Sequence, residues 1–303
     1  MAKKKLRRNI LVQRIQYGIV SLFLMMAKHL PAGFIYGVSR GLSALGFYFM
    51  KKRTHTAMQN IRSVYGMDET KARAFAKEVY RQLSETIAEM LLMVVDRFEV
   101  DDAIVNLQEA TEQLKALSDR SENGIVFVTA HYSNWELLAQ FMAKHGFPML
   151  VIGRKGSNRF IDQKITLPFR ERYGNRAVHK DKAMVTMAKR LKKGESVGML
   201  IDQKTNGTHA VKIPFFGKDA STTLSTASLK LKFDPLVVAI GVVRQKRGKY
   251  RFYIGDPVAY TAEEIVDERE KLVAMSTLYN KEIESIIKKD PTQWFWMHNR
   301  WKA

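Results

Sequence analysis

Residues 124–140 read GIVFVTAHYSNWELLAQ. The apolar run Ile125 to Ala130 stops at His131, and from Trp135 onward apolar residues recur at helical spacing (Trp135, Leu137, Leu138, Phe141, Met142). The stretch predicts a strand, a tight turn and a helix, with His131 at the strand end and Glu136 in the first helical turn. Open α/β sheets present their chemistry at such strand ends. An imidazole placed there takes a proton from a hydroxyl, and a carboxylate beside it fixes the tautomer and stabilises the imidazolium. With seven His and 30 acidic residues among 303, less than one His-x4-acid pair is expected by chance, and only His131 has one. The spacing alone is a weak signal; its position at a strand end gives it weight. A second reading of Glu136 stays open, because Ser133-x-x-Glu136 has the form of a helix capping box.

Working outward, Thr70 to Val95 and Asp101 to Leu117 read as helices. In the first of them Glu85 and Glu89 lie one turn apart, and a solvated face is the expectation for both. Beyond Gly124 strands and helices alternate. Strands are expected at Ile125–Ala130, Pro148–Gly153, Ser196–Ile201, Leu236–Val243 and Tyr250–Ile254. Helices are expected at Trp135–His145, Phe160–Tyr173, Asp181–Lys193 and Ala262–Lys289. Such alternation predicts an α/β fold, a mainly parallel or mixed sheet flanked by helices. Three further constellations sit at strand ends. Arg154 follows Val151–Gly153 and offers a planar fork for a phosphate. Asp202 ends the run Gly198–Ile201, placed to orient a catalytic group, to hold Arg154, or merely to start an Asx turn. Val211–Lys218 reads as an apolar turn, and Ser221–Thr226 as the start of a helix.

Composition narrows the function classes. The chain lacks cysteine, which excludes disulfides, a thiol nucleophile and a cysteine metal site. The net charge of +20 is unevenly spread: residues 1–67 hold 12 Lys/Arg and no acid, and residues 144–251 hold 24 Lys/Arg against 7 acids. A polyanionic partner follows: nucleic acid, an acidic membrane surface or a phosphorylated substrate. The N-terminus discriminates among these. Lys3, Lys4, Lys5, Arg7 and Arg8 precede an apolar segment from Ile10 to Ala27, and a second runs from Leu30 to Met50, closed by Lys51, Lys52 and Arg53. Tyr17 to Ala27 alone is too short to cross a bilayer, whereas Ile10 to Leu30 reaches about 30 Å as a helix. Residues 1–50 are therefore expected to be membrane-associated helices, the first inserted and the second at the interface or packed on the globular part, with residues 51–303 forming one α/β domain. No Ala-x-Ala cleavage pattern follows the first segment. A nucleic-acid partner would explain the charge but not this acid-free apolar start, so none is expected.

AHYSNWE, IGRKGSN with the following Asp162, LIDQ, IPFFG with the following TTLS, and QWFWMHNRWK occur in that order, behind HLPAGFIYGVSR. Together they resemble the lipid A biosynthesis (late) acyltransferases, relatives of the glycerolipid acyltransferases that share a His-x4-Asp/Glu signature. The resemblance covers most of the chain. It implies a glycerolipid-acyltransferase-like fold and an enzyme at the cytoplasmic face of the inner membrane. That enzyme moves an acyl chain from acyl carrier protein to a hydroxyl of an acylated, Kdo-bearing, phosphorylated glycolipid, with no cofactor and no metal. By the family motif His131 would be the base and Glu136 its orienter, with Arg154 and Asp202 near the site. The usual Trp-x-His-Arg-Arg reads Trp296-Met297-His298-Asn299-Arg300 here, which leaves Arg300 as the basic candidate. Without a thiol or a Gly-x-Ser-x-Gly elbow, direct attack without a covalent intermediate is the expected chemistry. Another lipid acceptor, and coenzyme A as donor, stay open.

Overall fold

The computed structural model describes residues 2–153, 158–205 and 210–301. Five helices precede the quoted stretch: α1 (Ala2–His29), α2 (Ala32–Phe49), α3 (Lys51–Tyr65), α4 (Glu69–Val94) and α5 (Leu107–Asp119). Then come β1 (Ile125–Thr129), α6 (Trp135–Lys144), β2 (Leu150–Gly153), the short helices α7 (Arg159–Ile161) and α8 (Leu167–Arg170), β3 (Arg176–His179), α9 (Lys180–Leu191) and β4 (Val197–Leu200). The chain continues through β5 (Ala210–Phe215), β6 (Lys218–Thr223), α10 (Ser225–Phe233), β7 (Leu236–Lys246), β8 (Lys249–Ile254) and α11 (Glu268–Ile287).

The central sheet has the order β4-β1-β7-β8. β1 runs parallel to both neighbours, with Thr129 opposite Leu200 and Val128 opposite Ala239, and β8 returns antiparallel to β7. The sheet is thus mixed, as alternation of elements predicts. Every residue of β1 is buried, because helices cover both faces. Ile125 and Phe127 share a core with Leu137 and Phe141 of α6, while Val126 and Val128 join Met187 of α9 and Ile283 of α11 on the other face. That is the period-2 alternation of a strand, and each such side chain contributes roughly 1.5–3 kcal/mol. Gly124 sets the entry to β1: its φ is +77°, and a Cβ there would lie 2.4 Å from the Glu195 carbonyl oxygen. Only glycine satisfies both conditions.

Several expectations are corrected. β2 leaves the central sheet and pairs in parallel with β3, a strand the sequence reading does not contain. The stretch expected as a turn and helix start is the β5–β6 hairpin, in which Ile213 and Phe215 point inward and Lys212 and Pro214 outward. Only then does α10 begin. α11 starts at Glu268 rather than Ala262, because the Asp267 side chain accepts from the Glu270 N–H and caps it. α5 starts six residues later than expected, since Ile104 is bridged to Tyr250 of β8. The largest correction is on α4: Glu85 and Glu89 are buried, at 3% and 0% exposure, not solvated. Arg40 and Arg247 pair with Glu85, and Arg244 with Glu89.

α2 packs on α4 through these groups: the Tyr36 hydroxyl donates to Glu89, the Ser43 hydroxyl to the Tyr80 carbonyl, and Phe47 stacks edge-on against Tyr80. α1 touches the rest more sparingly. Asn158 donates to the Gln13 carbonyl and the Gln16 side chain, and Arg97 to the carbonyls of Ala27 and Leu30. The Gln13 side chain also accepts from the Arg159 N–H (3.3 Å), so both glutamines of this apolar segment have side-chain partners near the start of α7. Ile10–His29 is long and apolar enough to cross a membrane, and only 6% of it is buried, unlike a core helix. Leu11, Ile15, Ile19, Leu22 and Met25 of α1 and Phe34, Leu42, Leu45 and Phe49 of α2 are all exposed.

Candidate active site

β1 and β4 are parallel and in register, so the residues two beyond Thr129 and Leu200 emerge side by side at the carboxyl edge of the sheet. These residues are His131 and Asp202. The Asp202 carboxylate accepts from the His131 ring at Nδ1 (2.9 Å), from the His131 backbone N–H (3.0 Å) and from the Trp294 indole N–H (2.9 Å). Burial at 1% exposure would raise this carboxyl, but the His131 charge and the three donated hydrogen bonds outweigh it and hold the carboxyl below the usual range. A carboxylate at Nδ1 fixes the tautomer with the proton on Nδ1. Nε2 is left as the free lone pair. Among the described residues nothing bonds Nε2, and the ring lines a cavity of about 80 Å³ together with Trp135, Glu136, Leu138, Met149 and Arg170. The Trp135 indole meets the imidazole edge-on at 5.5 Å. A space this size takes the reacting end of a substrate, not a whole fatty chain.

Glu136 lies in the same cavity but does not orient His131. It is 4% exposed and accepts both oxygens' worth of bonds from Arg170, with Nε at 3.1 and 3.2 Å and Nη2 on Oε1. The capping box is not formed either. Asn134 is the N-cap, its Oδ1 accepting from Leu137 N–H at 3.0 Å, while Ser133 adopts a left-handed φ of 53°. That shift by one residue turns Glu136 toward the cavity. Arg300 is fully buried. It donates to the Ser221 carbonyl (2.6 Å), the Gln203 carbonyl (3.4 Å) and the Thr222 hydroxyl (2.8 Å), and lies over the Phe215 ring. Burial lowers its pKa to about 10. Arg154 lies outside the described residues.

Arg170, Trp294 and Arg244, which the sequence does not single out, complete the site together with Glu89, which the sequence marks only as a solvated residue. Arg170, on α8, is the partner of Glu136 from 34 residues away; among 50 basic residues no local signal marks it. Trp294 belongs to a C-terminal segment laced onto the His131 turn. Phe295 N–H donates to the His131 carbonyl (3.1 Å), and Ser133 N–H donates to the Gln293 carbonyl (2.8 Å). Glu89 and Arg244 back the same turn: Asn134 donates to Glu89 (3.1 Å), Arg244 to Thr86 (2.7 Å), and Thr86 to the Ser133 carbonyl (3.1 Å). The strained turn is thus held from both sides. A larger cavity, about 640 Å³, sits at the opposite edge of the sheet among Arg176, Lys189 and Lys193. Its lining includes the Arg190–Glu195 ion pair but no histidine.

An imidazole with a carboxylate at Nδ1 and a free Nε2 beside a largely apolar cavity, at the carboxyl edge of a mixed sheet, is an arrangement with the chemistry to take a proton from a hydroxyl. The comparisons with known proteins agree. The profile of the bacterial lipid A biosynthesis acyltransferases matches residues 1–303, and the chain belongs to that family, a family of O-acyltransferases. It is 26% identical over 291 residues to the lipid A biosynthesis lauroyltransferase of Escherichia coli, covering 94% of this chain and 90% of that protein. It is 28% identical over 209 residues to a lipid A biosynthesis acyltransferase of Haemophilus influenzae, covering 67% of this chain; the chain spans 63% of the length of that relative.

Proposed function

We propose that this protein transfers a fatty acyl chain from acyl carrier protein to a hydroxyl of an acylated, Kdo-bearing lipid A precursor, at the cytoplasmic face of the inner membrane. The observation that carries the reading is the His131 imidazole, fixed at Nδ1 by Asp202 and free at Nε2 beside the cavity. Nε2 takes the proton of the acceptor hydroxyl as its oxygen attacks the thioester carbonyl. The tetrahedral oxyanion collapses, the carbon–sulfur bond breaks, and the leaving thiolate recovers the proton from the imidazolium. Asp202 offsets the imidazolium charge in direct contact from behind the ring, and Glu136 is the carboxylate that lines the cavity. Arg170, held by Glu136, supplies a guanidinium for the oxyanion or an acceptor anion. Arg154 is assigned to the same anion-binding task from its place after β2. Arg300 acts by holding the segments around Gln203 and Ser221 that follow and face Asp202.

The exposed apolar residues of α1 and α2 seat the chain on the membrane that holds the acceptor, and the net charge of +20 suits an acidic carrier protein and a phosphorylated lipid. Mass spectrometry of lipid A from a deletion strain beside its complemented parent tests the acceptor. The deletion should lack one acyl chain, and complementation with His131→Ala should leave it lacking. The purified protein given acyl carrier protein and coenzyme A thioesters in parallel tests the donor; equal use of both overturns the carrier-protein assignment.

A further inference from the structure

β1 and β7 are parallel neighbours, with Val128 opposite Ala239. Continued by three residues, that register sets His131 level with Val242, two residues before Arg244 on β7. Just beyond it a cavity of about 280 Å³ opens between α2, α4 and the turn that joins β7 to β8. Five cations line it, Arg40, Arg81, Arg244, Lys246 and Arg247, against two carboxylates, Glu85 and Asp290. Part of this charge is balanced from behind, since Glu89 pairs with Arg244 and Glu78 with Arg81. Arg40 and Arg247 share the single carboxylate of Glu85, at 2.7 and 2.8 Å, and Asp290 accepts from Thr292 and Gln293. Lys246 has no ion-pair partner among the described residues. Among the described residues Arg40 uses only Nη2 in hydrogen bonding, which leaves its other N–H groups for a ligand.

Arg40 is the only charged residue of α2, whose outer face shows Phe34, Leu42, Leu45 and Phe49. Arg40 itself lies on the inner side of the helix with Tyr36 and reaches Glu85, so the cavity adjoins the helix whose opposite, apolar face is seated on the membrane. The shared Glu85 holds two guanidiniums in place before any ligand arrives, and planar forks so arranged match phosphate oxygens.

We propose that this cavity binds the phosphate group of a membrane lipid beside the catalytic base. The proposal rests on the membrane seating of α1 and α2 given above, but not on the acyl-transfer reaction. The phosphate comes either from the acceptor glycolipid or from a neighbouring anionic phospholipid, and two measurements separate the sources.

Arg40→Gln with Lys246→Gln removes two charges and leaves Arg247 on Glu85, so that no buried carboxylate is stranded. Lys189→Gln with Lys193→Gln removes two charges at the far edge as a control. In the first measurement the full chain in neutral detergent is titrated with dioctanoyl phosphatidylglycerol and dioctanoyl phosphatidylcholine, and bound lipid is counted by native mass spectrometry. In the second, KM is measured for the phosphorylated acceptor and for the same acceptor stripped of phosphate. A phospholipid source appears as loss of phosphatidylglycerol retention, at least about tenfold, in the cavity variant and not in the control. An acceptor source appears as an increase of at least about tenfold in KM for the phosphorylated acceptor alone. The proposal is overturned if cavity variant and control match each other in both measurements. Because lipid retention is read without turnover, that result would leave the acyltransferase reading standing.

Discussion

Asp202 is the residue on which the geometry makes its sharpest demand. It is buried, accepts three hydrogen bonds and sits at the imidazole, so Asp202→Asn should lower turnover by about 10²–10⁴, as should His131→Ala. Glu136→Gln should cost less, since Glu136 faces Arg170 rather than the ring. A greater loss from Glu136→Gln than from Asp202→Asn, read as kcat with folding checked by circular dichroism, would return the orienting role to Glu136. The carboxyl of Asp202 is depressed in the folded state. Its contribution to stability is therefore full above its unfolded value of about 3.9 and is lost as pH falls through the lower folded value. Urea titrations below pH 4 should show an acid-dependent loss that Asp202→Asn removes. Arg154→Lys keeps charge but not the fork and should lose at least about tenfold in activity; wild-type kcat and KM in Arg154→Ala would make it a solvated loop cation. His131 is legible from its sequence alone, because an apolar run ends on it. Its partner is not, because the choice between Glu136 and Asp202 depends on β4 lying beside β1, a pairing 71 residues apart.

At the scale of elements, α4 carries the same lesson further. Its apolar spacing predicts a helix correctly, and its N-cap Asp68 accepts from Lys71 N–H as such a start requires. The two glutamates on it look solvated only while α2 and β7 are absent from the argument. Once Tyr36, Arg40, Arg244 and Arg247 converge on them, Glu85 and Glu89 become the buried ionic centre that ties α2 to the sheet and to the His131 turn. The β5–β6 hairpin is missed for a related reason. Its six-residue strands alternate inward and outward, but Pro214 and the Ser/Thr run read locally as turn and cap. Removing one member of a buried pair leaves the other charged without a partner. Arg244→Met should therefore cost about 3–5 kcal/mol, seen as a lower denaturant midpoint at constant slope. A loss below about 1 kcal/mol would show that Tyr250, Gly248 and Asn134 satisfy Glu89 without Arg244.

For the whole molecule, the exposed apolar residues of α1 and α2 coincide with the acid-free part of the chain. Residues 1–67 hold no acid, α1 is 6% buried over its apolar window, and α2 turns its aromatic and aliphatic residues outward while its Tyr36 and Arg40 reach the ionic centre on α4. Two forces of different range are then available for the membrane seating proposed above. Burial of apolar side chains is indifferent to salt, whereas attraction between basic surface and anionic headgroups decays over about 8 Å at physiological ionic strength. Deleting residues 2–28 removes most of the first and leaves the second, because few bonds link α1 to the rest. The shortened protein should stay on membranes at low salt and leave them as salt rises, while the full chain stays at both. Sedimentation of membranes across a salt series reads the difference. Retention of the shortened protein through 1 M salt would show that the outer face of α2 is sufficient as an apolar anchor, and would move the principal membrane contact from α1 to the helix that carries Arg40.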